Sequence, residues 1–79
     1  MKIRIYVTLK EGILDPQGKV VGRSLRELGF DEVRDVRIGR YIELDLEDGG
    51  SDPRPRIEEM CRQLLANPVI EDFRVEGPE

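Results

Sequence analysis

Gly12-Ile13-Leu14-Asp15-Pro16-Gln17-Gly18-Lys19 joins an alternating apolar stretch to a helical one, and the fold is read outward from it. Asp15 suits the N-cap position, where its carboxylate can accept free first-turn N–H groups. Pro16 then falls at the first helical position, where a missing N–H costs nothing and the fixed φ already suits a helix. Gly18 and Gly22 lie one turn apart on the same helix, although glycine in a helix costs roughly 1 kcal/mol against alanine. Either they bare a strip of backbone that another segment can approach closely, or they mark a weak helix start with no role. No Gly-x-x-x-x-Gly-Lys-Ser/Thr phosphate loop is present.

Upstream, Ile3, Ile5, Val7 and Leu9 alternate with Lys2, Arg4, Tyr6 and Thr8, the pattern of a half-buried strand. Downstream, Val21, Leu25 and Leu28 recur at helical spacing with Val20 beside them, and Gly29 is placed to close the helix. Val36 and Ile38, then Ile42, Leu44 and Leu46, predict a hairpin about Gly39-Arg40-Tyr41. A three-residue loop pairs Ile38 with Ile42 and Val36 with Leu44, which keeps one face apolar. Asp52-Pro53 repeats the helix start, and Ile57, Met60, Cys61, Leu64 and Leu65 give the second helix its core face. Asn67-Pro68 stops it, residues 69–76 form a last strand with Val69, Phe73 and Val75 on one face, and Gly77-Pro78-Glu79 is a frayed end. The order β-α-β-β-α-β predicts an α+β, ferredoxin-like two-layer sandwich. In it a four-stranded antiparallel sheet carries both helices on one face.

The chain of 79 residues makes one domain, 1–79. At that size a single core supplies only about 3–5 kcal/mol. One cysteine and no histidine exclude an internal disulfide and a Cys/His zinc site. Self-association is the remaining way to add buried surface. The sheet face left bare by the helices carries Tyr6 and Tyr41, the candidate self-association residues. The net charge of −4 argues against nucleic acid. Residues 1–40 carry nine basic and six acidic side chains, and residues 41–79 carry four and eleven. That asymmetry fits either complementary contact with another chain or a solvated mixed surface. No signal peptide and no long apolar run are present, so the protein is expected in the cytoplasm and away from membranes.

Catalytic chemistry has little to stand on. The commonest general base is missing, and Cys61 shares a predicted core face with Ile57 and Leu64. No carboxylate pair stands out from ordinary surface charge, so catalytic, cofactor-binding and metal-binding residues are all expected to be absent. One place invites docking instead: Gly18, Lys19 and Gly22 form a smooth, basic-edged patch at the mouth of the first helix. The layout alone also fits a ligand-sensing regulatory module, in which paired copies hold a small metabolite.

Four stretches narrow the choice: Tyr6-Val-Thr-Leu-Lys10, Leu14-Asp-Pro-Gln-Gly-Lys19, Val36-Arg-Ile-Gly-Arg-Tyr-Ile-Glu-Leu44 and Met60-Cys-Arg-Gln-Leu-Leu-Ala-Asn-Pro-Val-Ile-Glu-Asp72. Together they resemble the PurS family, the small accessory subunit of phosphoribosylformylglycinamidine (FGAM) synthase, over nearly the whole chain. The loop at residues 47–53 matches least. The resemblance implies a part in de novo purine biosynthesis, within a glutamine-dependent carbon–nitrogen ligase. That enzyme converts formylglycinamide ribonucleotide, ATP and glutamine to FGAM, ADP, phosphate and glutamate. It also implies a glutaminase subunit that releases ammonia, and a large synthetase subunit that holds ATP, magnesium and the ribonucleotide. This chain would dock the two and carry no catalytic group; its small core, with no disulfide or metal, adds the separate expectation of a dimer or higher oligomer.

Overall fold

The computed structural model describes residues 1–78; Glu79, part of the expected frayed end, lies outside the described residues. Its elements are β1 (Lys2–Leu9), α1 (Pro16–Glu27), β2 (Arg40–Asp45), α2 (Arg54–Met60), a π-helical turn (Cys61–Leu65) and β3 (Glu71–Glu76). The protein is α+β. Among the described residues the sheet has three antiparallel strands, ordered β2-β1-β3. The register places Ile3 opposite Leu44, Ile5 opposite Ile42 and also Val75, and Val7 opposite Phe73. One face is therefore apolar across all three strands. Ile3, Ile5 and Val7 are fully buried beneath Ile57 and Cys61, with Ala66 at the edge.

The expected hairpin partner of β2 is not in the sheet: residues 31–39 hold no strand. The reason lies in where their backbone groups go. The Ile38 N–H donates to an Asp15 Oδ2 at 2.8 Å, and the Val36 N–H to its neighbour Asp35 at 3.0 Å. These donors are spent at the start of α1 and within the loop, so the loop pairing of Ile38 with Ile42 does not form. Gly39 lets the chain pass close against the Val7 carbonyl, where a Cβ would not fit. Strand β2 then begins one residue later, on β1.

The second helix departs from its α-helical reading after Met60. The Ala66 N–H donates to the Cys61 carbonyl at 2.9 Å, the i→i+5 bond of a π turn. The wider turn rotates the following side chains about the axis. Ala66 joins the core instead of Leu64, which is 84% exposed. Val69 likewise stays out in the turn before β3, whose core-facing residues are Phe73 and Val75.

The body built from the sheet and α2 is half of the molecule. None of the hydrophobic side chains from 10 to 39 is among those that form the core cluster or pack against it. The dimensions agree: 52 × 25 × 14 Å, with a radius of gyration of 16.1 Å. A compact domain of this length would have about 12 Å. Helix α1 and its flanking segments form an arm.

Candidate functional site

The arm begins with a carboxylate that uses both oxygens. Asp15 Oδ1 accepts from the Gly18 N–H at 2.8 Å, the expected N-cap bond, and Oδ2 accepts from the Ile38 N–H. Asp15 thus ties the entry of α1 to the segment that returns from it. The Ile38 N–H, then the Gly18 N–H, hold its carboxyl below the ordinary value of 3.8. At the other end, Gly29 takes φ +103°. The Phe30 N–H reaches the Leu25 carbonyl and the Gly29 N–H reaches that of Arg26, both at 3.0 Å, forming a Schellman cap.

Gly18 and Gly22 are the only buried residues of α1. Their missing side chains are answered from within the chain. A Cβ on Gly18 would run into the Val36 carbonyl oxygen, and one on Gly22 would meet the Val36 side chain at 3.5 Å. Of the two readings the sequence leaves open, a close approach along the glycine edge is the one seen, and the approaching segment is Val36 of the same chain. Lys19 points outward beside Lys10, Asp35 and Arg37 around a shallow polar cleft. Of the three candidate docking residues, Lys19 alone presents its side chain to solvent.

The arm also displays apolar surface. Val20 is 58% exposed, Leu28 74% and Phe30 49%, and Leu14 and Val21 are exposed as well. Pro16, Gln17, Val20, Val21 and Ile38 line an open apolar groove along one side of α1.

On the sheet face away from α2, Tyr6 and Tyr41 do come together, as a cross-strand pair with ring centroids 5.2 Å apart. The Arg74 guanidinium sits 4.5 Å above the Tyr6 ring. The Tyr41 hydroxyl donates to Glu43 at 2.8 Å, which raises the tyrosine pKa and lowers that of Glu43. Lys2 approaches Glu43 at 3.7 Å. The result is an aromatic centre ringed by charges of both signs, with no helix over it.

One cluster was not foreseen. Arg40 donates to both oxygens of Glu71, at 2.9 and 3.1 Å, and also to the Leu65 carbonyl at 2.8 Å. Glu71 in turn accepts from the Asn67 N–H at 2.7 Å, so its pKa is lowered by Arg40 first and Asn67 second. This fork joins β2, β3 and the end of the π turn. The sequence offers no signal for it beyond an arginine and a glutamate 31 positions apart.

For chemistry the described residues offer little. No group of three His, Cys, Asp or Glu side chains could hold a metal ion. Cys61 is fully buried, and burial pushes its thiol up from the ordinary value. No helix is long and apolar enough to cross a membrane. The surfaces that remain are suited to contact.

Comparison with known proteins points the same way. Residues 2–79 match the family described as PurS: phosphoribosylformylglycinamidine (FGAM) synthase. The PurS subunit of Bacillus subtilis is 50% identical over 78 residues, 99% of this chain and 93% of that protein. A solved structure of B. subtilis PurS superposes with a TM-score of 0.90, covering 99% of this chain and 98% of that one. A chain in the structure of PurLQS from Thermotoga maritima is 31% identical, with a TM-score of 0.78 and coverage of 95% and 93%.

Proposed function

Because this chain belongs to the PurS family of FGAM synthase, we propose that it serves as the small subunit that holds a glutaminase and a synthetase together. It is an accessory subunit of a ligase of purine biosynthesis. The single observation that carries the docking role is the likeness, end to end, to a chain of PurLQS. Its own groups support a non-catalytic part: the lone thiol is sealed in the core, and the perturbed carboxylates are each held by structural hydrogen bonds. ATP and magnesium belong, on this reading, to the synthetase subunit. Ammonia released from glutamine is readily lost to solvent, so keeping the two active sites closed to each other is itself a function.

The order β2-β1-β3 is that of a ferredoxin-like sheet lacking one edge strand, and we read the chain as a single domain of that lineage. Lys19, with Gly18 and Gly22 fixing its place, contacts the synthetase, and Tyr6 and Tyr41 contribute to self-association. The protein works in the cytoplasm.

The test is reconstitution. Glutamine-dependent FGAM formation should require this chain, while ammonia-dependent formation by the synthetase subunit should not. Co-elution of all three subunits, with and without glutamine, provides the physical counterpart. A complex that forms and runs on glutamine without this chain would sink the proposal. A thermal shift of the isolated protein with amino acids or nucleotides would favour a ligand-sensing module.

A further inference from the structure

The loop between β2 and α2 holds Asp48-Gly49-Gly50, all exposed and outside any helix or strand. The Gly50 N–H donates to Asp48 Oδ1 at 2.9 Å, an Asx turn that folds the carboxyl group back across Gly49. Among the described residues the Gly49 N–H donates to no acceptor. A Cβ on Gly49 would meet no atom within 4 Å, so nothing crowds that peptide. An unpaired, unhindered N–H therefore follows a carboxyl carbon held in the same turn. The Gly50 N–H also faces the oxygen on which charge would build if that carbon were attacked. The other positions of this kind are closed. Asp15, Asp52 and Asn67 precede prolines, which have no N–H. Asp31, Asp35 and Asp72 precede Glu32, Val36 and Phe73, whose side chains shield the amide. After Asp45, the Leu46 N–H is spent on the Met1 carbonyl at 2.8 Å.

We propose that Asp48 is a covalent modification site, which isomerises in the folded protein through a succinimide to isoaspartate. The Gly49 nitrogen attacks Asp48 Cγ of the protonated carboxyl group, and an N–Cγ bond forms. The carboxyl hydroxyl leaves with the amide proton as one water molecule. Water then reopens the five-membered ring. Addition at the Cγ carbonyl restores aspartate. Addition at the other carbonyl leaves the backbone running through Cγ, one methylene longer, with a free α-carboxylate. No electrons are gained or lost. The change lengthens the link between β2 and α2 and leaves both elements intact. Its product is the class of substrate that an isoaspartyl carboxyl methyltransferase esterifies with a sulfonium methyl donor. The methyl ester closes again to the imide with loss of methanol, so the site is one that such an enzyme would turn over. The proposal does not depend on the docking role.

The experiment incubates the full chain for several weeks near pH 6 and near 37 °C, and locates isoaspartate residue by residue through peptide mapping. Isoaspartate should accumulate at position 48 at least tenfold faster than at any other aspartate. The rate in the folded protein should at least match that in guanidinium chloride, because the loop leaves the Gly49 N–H free and holds the carboxyl over it. Gly49→Ala, whose added methyl has room in the loop, should slow the reaction at least fivefold with an unchanged thermal melt. Aged native protein should accept methyl groups from the methyltransferase, and aged Gly49→Ala should accept correspondingly fewer. A folded-state rate clearly below the unfolded rate overturns the proposal, since the loop then protects the bond. Isoaspartate spread evenly over the aspartates, or unaffected by Gly49→Ala, overturns it as well. Should Gly49→Ala melt differently, the comparison of folded and unfolded rates in the unaltered chain decides the matter.

Discussion

The sheet with α2 and the arm with α1 treat apolar surface in opposite ways. In the first, Ile3, Ile5, Val7, Ile57 and Cys61 are completely removed from water. In the second, the only buried residues of the helix are two glycines, and valine, leucine and phenylalanine side chains face out. The body is stabilised by burial. The arm is held at its base by hydrogen bonds to one carboxylate, and along its edge by a fit of backbone on backbone. A region of the second kind is shaped for something outside itself.

The largest expected effect separates the two regions directly. Ile5→Ala removes a core side chain at the centre of the sheet and should cost about 2–5 kcal/mol. Leu28→Ala removes a side chain of equal size from a position that is 74% exposed. Chemical denaturation of dilute protein should show little change for Leu28→Ala. Equal losses in dilute protein would erase the contrast.

Gly18→Ala comes next. Its Cβ would overlap the Val36 carbonyl oxygen and the Asp15 carboxylate, so backbone on both sides has to shift. Overpacking of this kind costs about 1–3 kcal/mol. The damage should be confined to the arm: hydrogen exchange should quicken at Gly18 and Ile38 while the β1 amides keep their protection. Quickening throughout the sheet would show that arm and body are one cooperative unit.

Cys61→Ala tests the body at smaller scale. Loss of one buried sulfur should cost about 1–2 kcal/mol and leave glutamine-dependent synthesis unchanged. In the unaltered protein a thiol reagent should react slowly until denaturant is added, because the side chain is sealed and its thiol pKa is raised. Rapid labelling of the native protein would mean that the π turn opens.

These contrasts follow what was legible in the residues. The strand at Lys2–Leu9, the Asp15-Pro16 helix start and the Gly29 stop could all be read, because each rests on neighbours within a turn or on period two. Cys61 and Ile57 were placed in the core by the same helical count. Leu64 was misplaced by it, since one i→i+5 bond changes the count and nothing in Cys-Arg-Gln-Leu-Leu announces that bond. The fourth strand failed for a different reason. Its apolar pattern was sound, but the Ile38 N–H is claimed by a carboxylate 23 residues away. The Arg40–Glu71 fork is long-range in the same sense. At Gly18 and Gly22 the sequence leaves a close approach and a weak helix start equally open, because the segment that meets them, at Val36, comes from beyond the helix.

Acid should act on the arm through Asp15. Its folded pKa lies below the ordinary value of 3.8, so its contribution is fully present above that value and disappears as pH falls through the folded pKa. Asp15→Asn should remove this acid-sensitive part, so that the protection of the Gly18 and Ile38 amides, taken relative to an unstructured peptide at the same pH, is the same at pH 6 and near pH 3. Glu71, also lowered, governs the body and should keep its own acid response in that variant. If Asp15→Asn leaves the acid sensitivity of those two amides in place, the clamp is not what fixes the arm.

The smallest effect is the most discriminating. At Gly22 a Cβ would lie 3.4 Å from the Arg26 guanidinium and 3.5 Å from the Val36 side chain, ordinary contacts that need little movement. Gly22→Ala should therefore gain from helix propensity and stabilise the arm by up to about 1 kcal/mol. The added methyl points toward Val36, so it should leave glutamine-dependent FGAM formation as it was. Lys19→Glu, one turn earlier and facing solvent, should lower that rate and leave ammonia-dependent synthesis and stability nearly unchanged. The pair of variants separates two uses of the same helix edge. If Gly22→Ala abolishes the glutamine-dependent rate while Lys19→Glu does nothing, the glycine strip itself receives the synthetase. Val36 would then have to move aside when it binds.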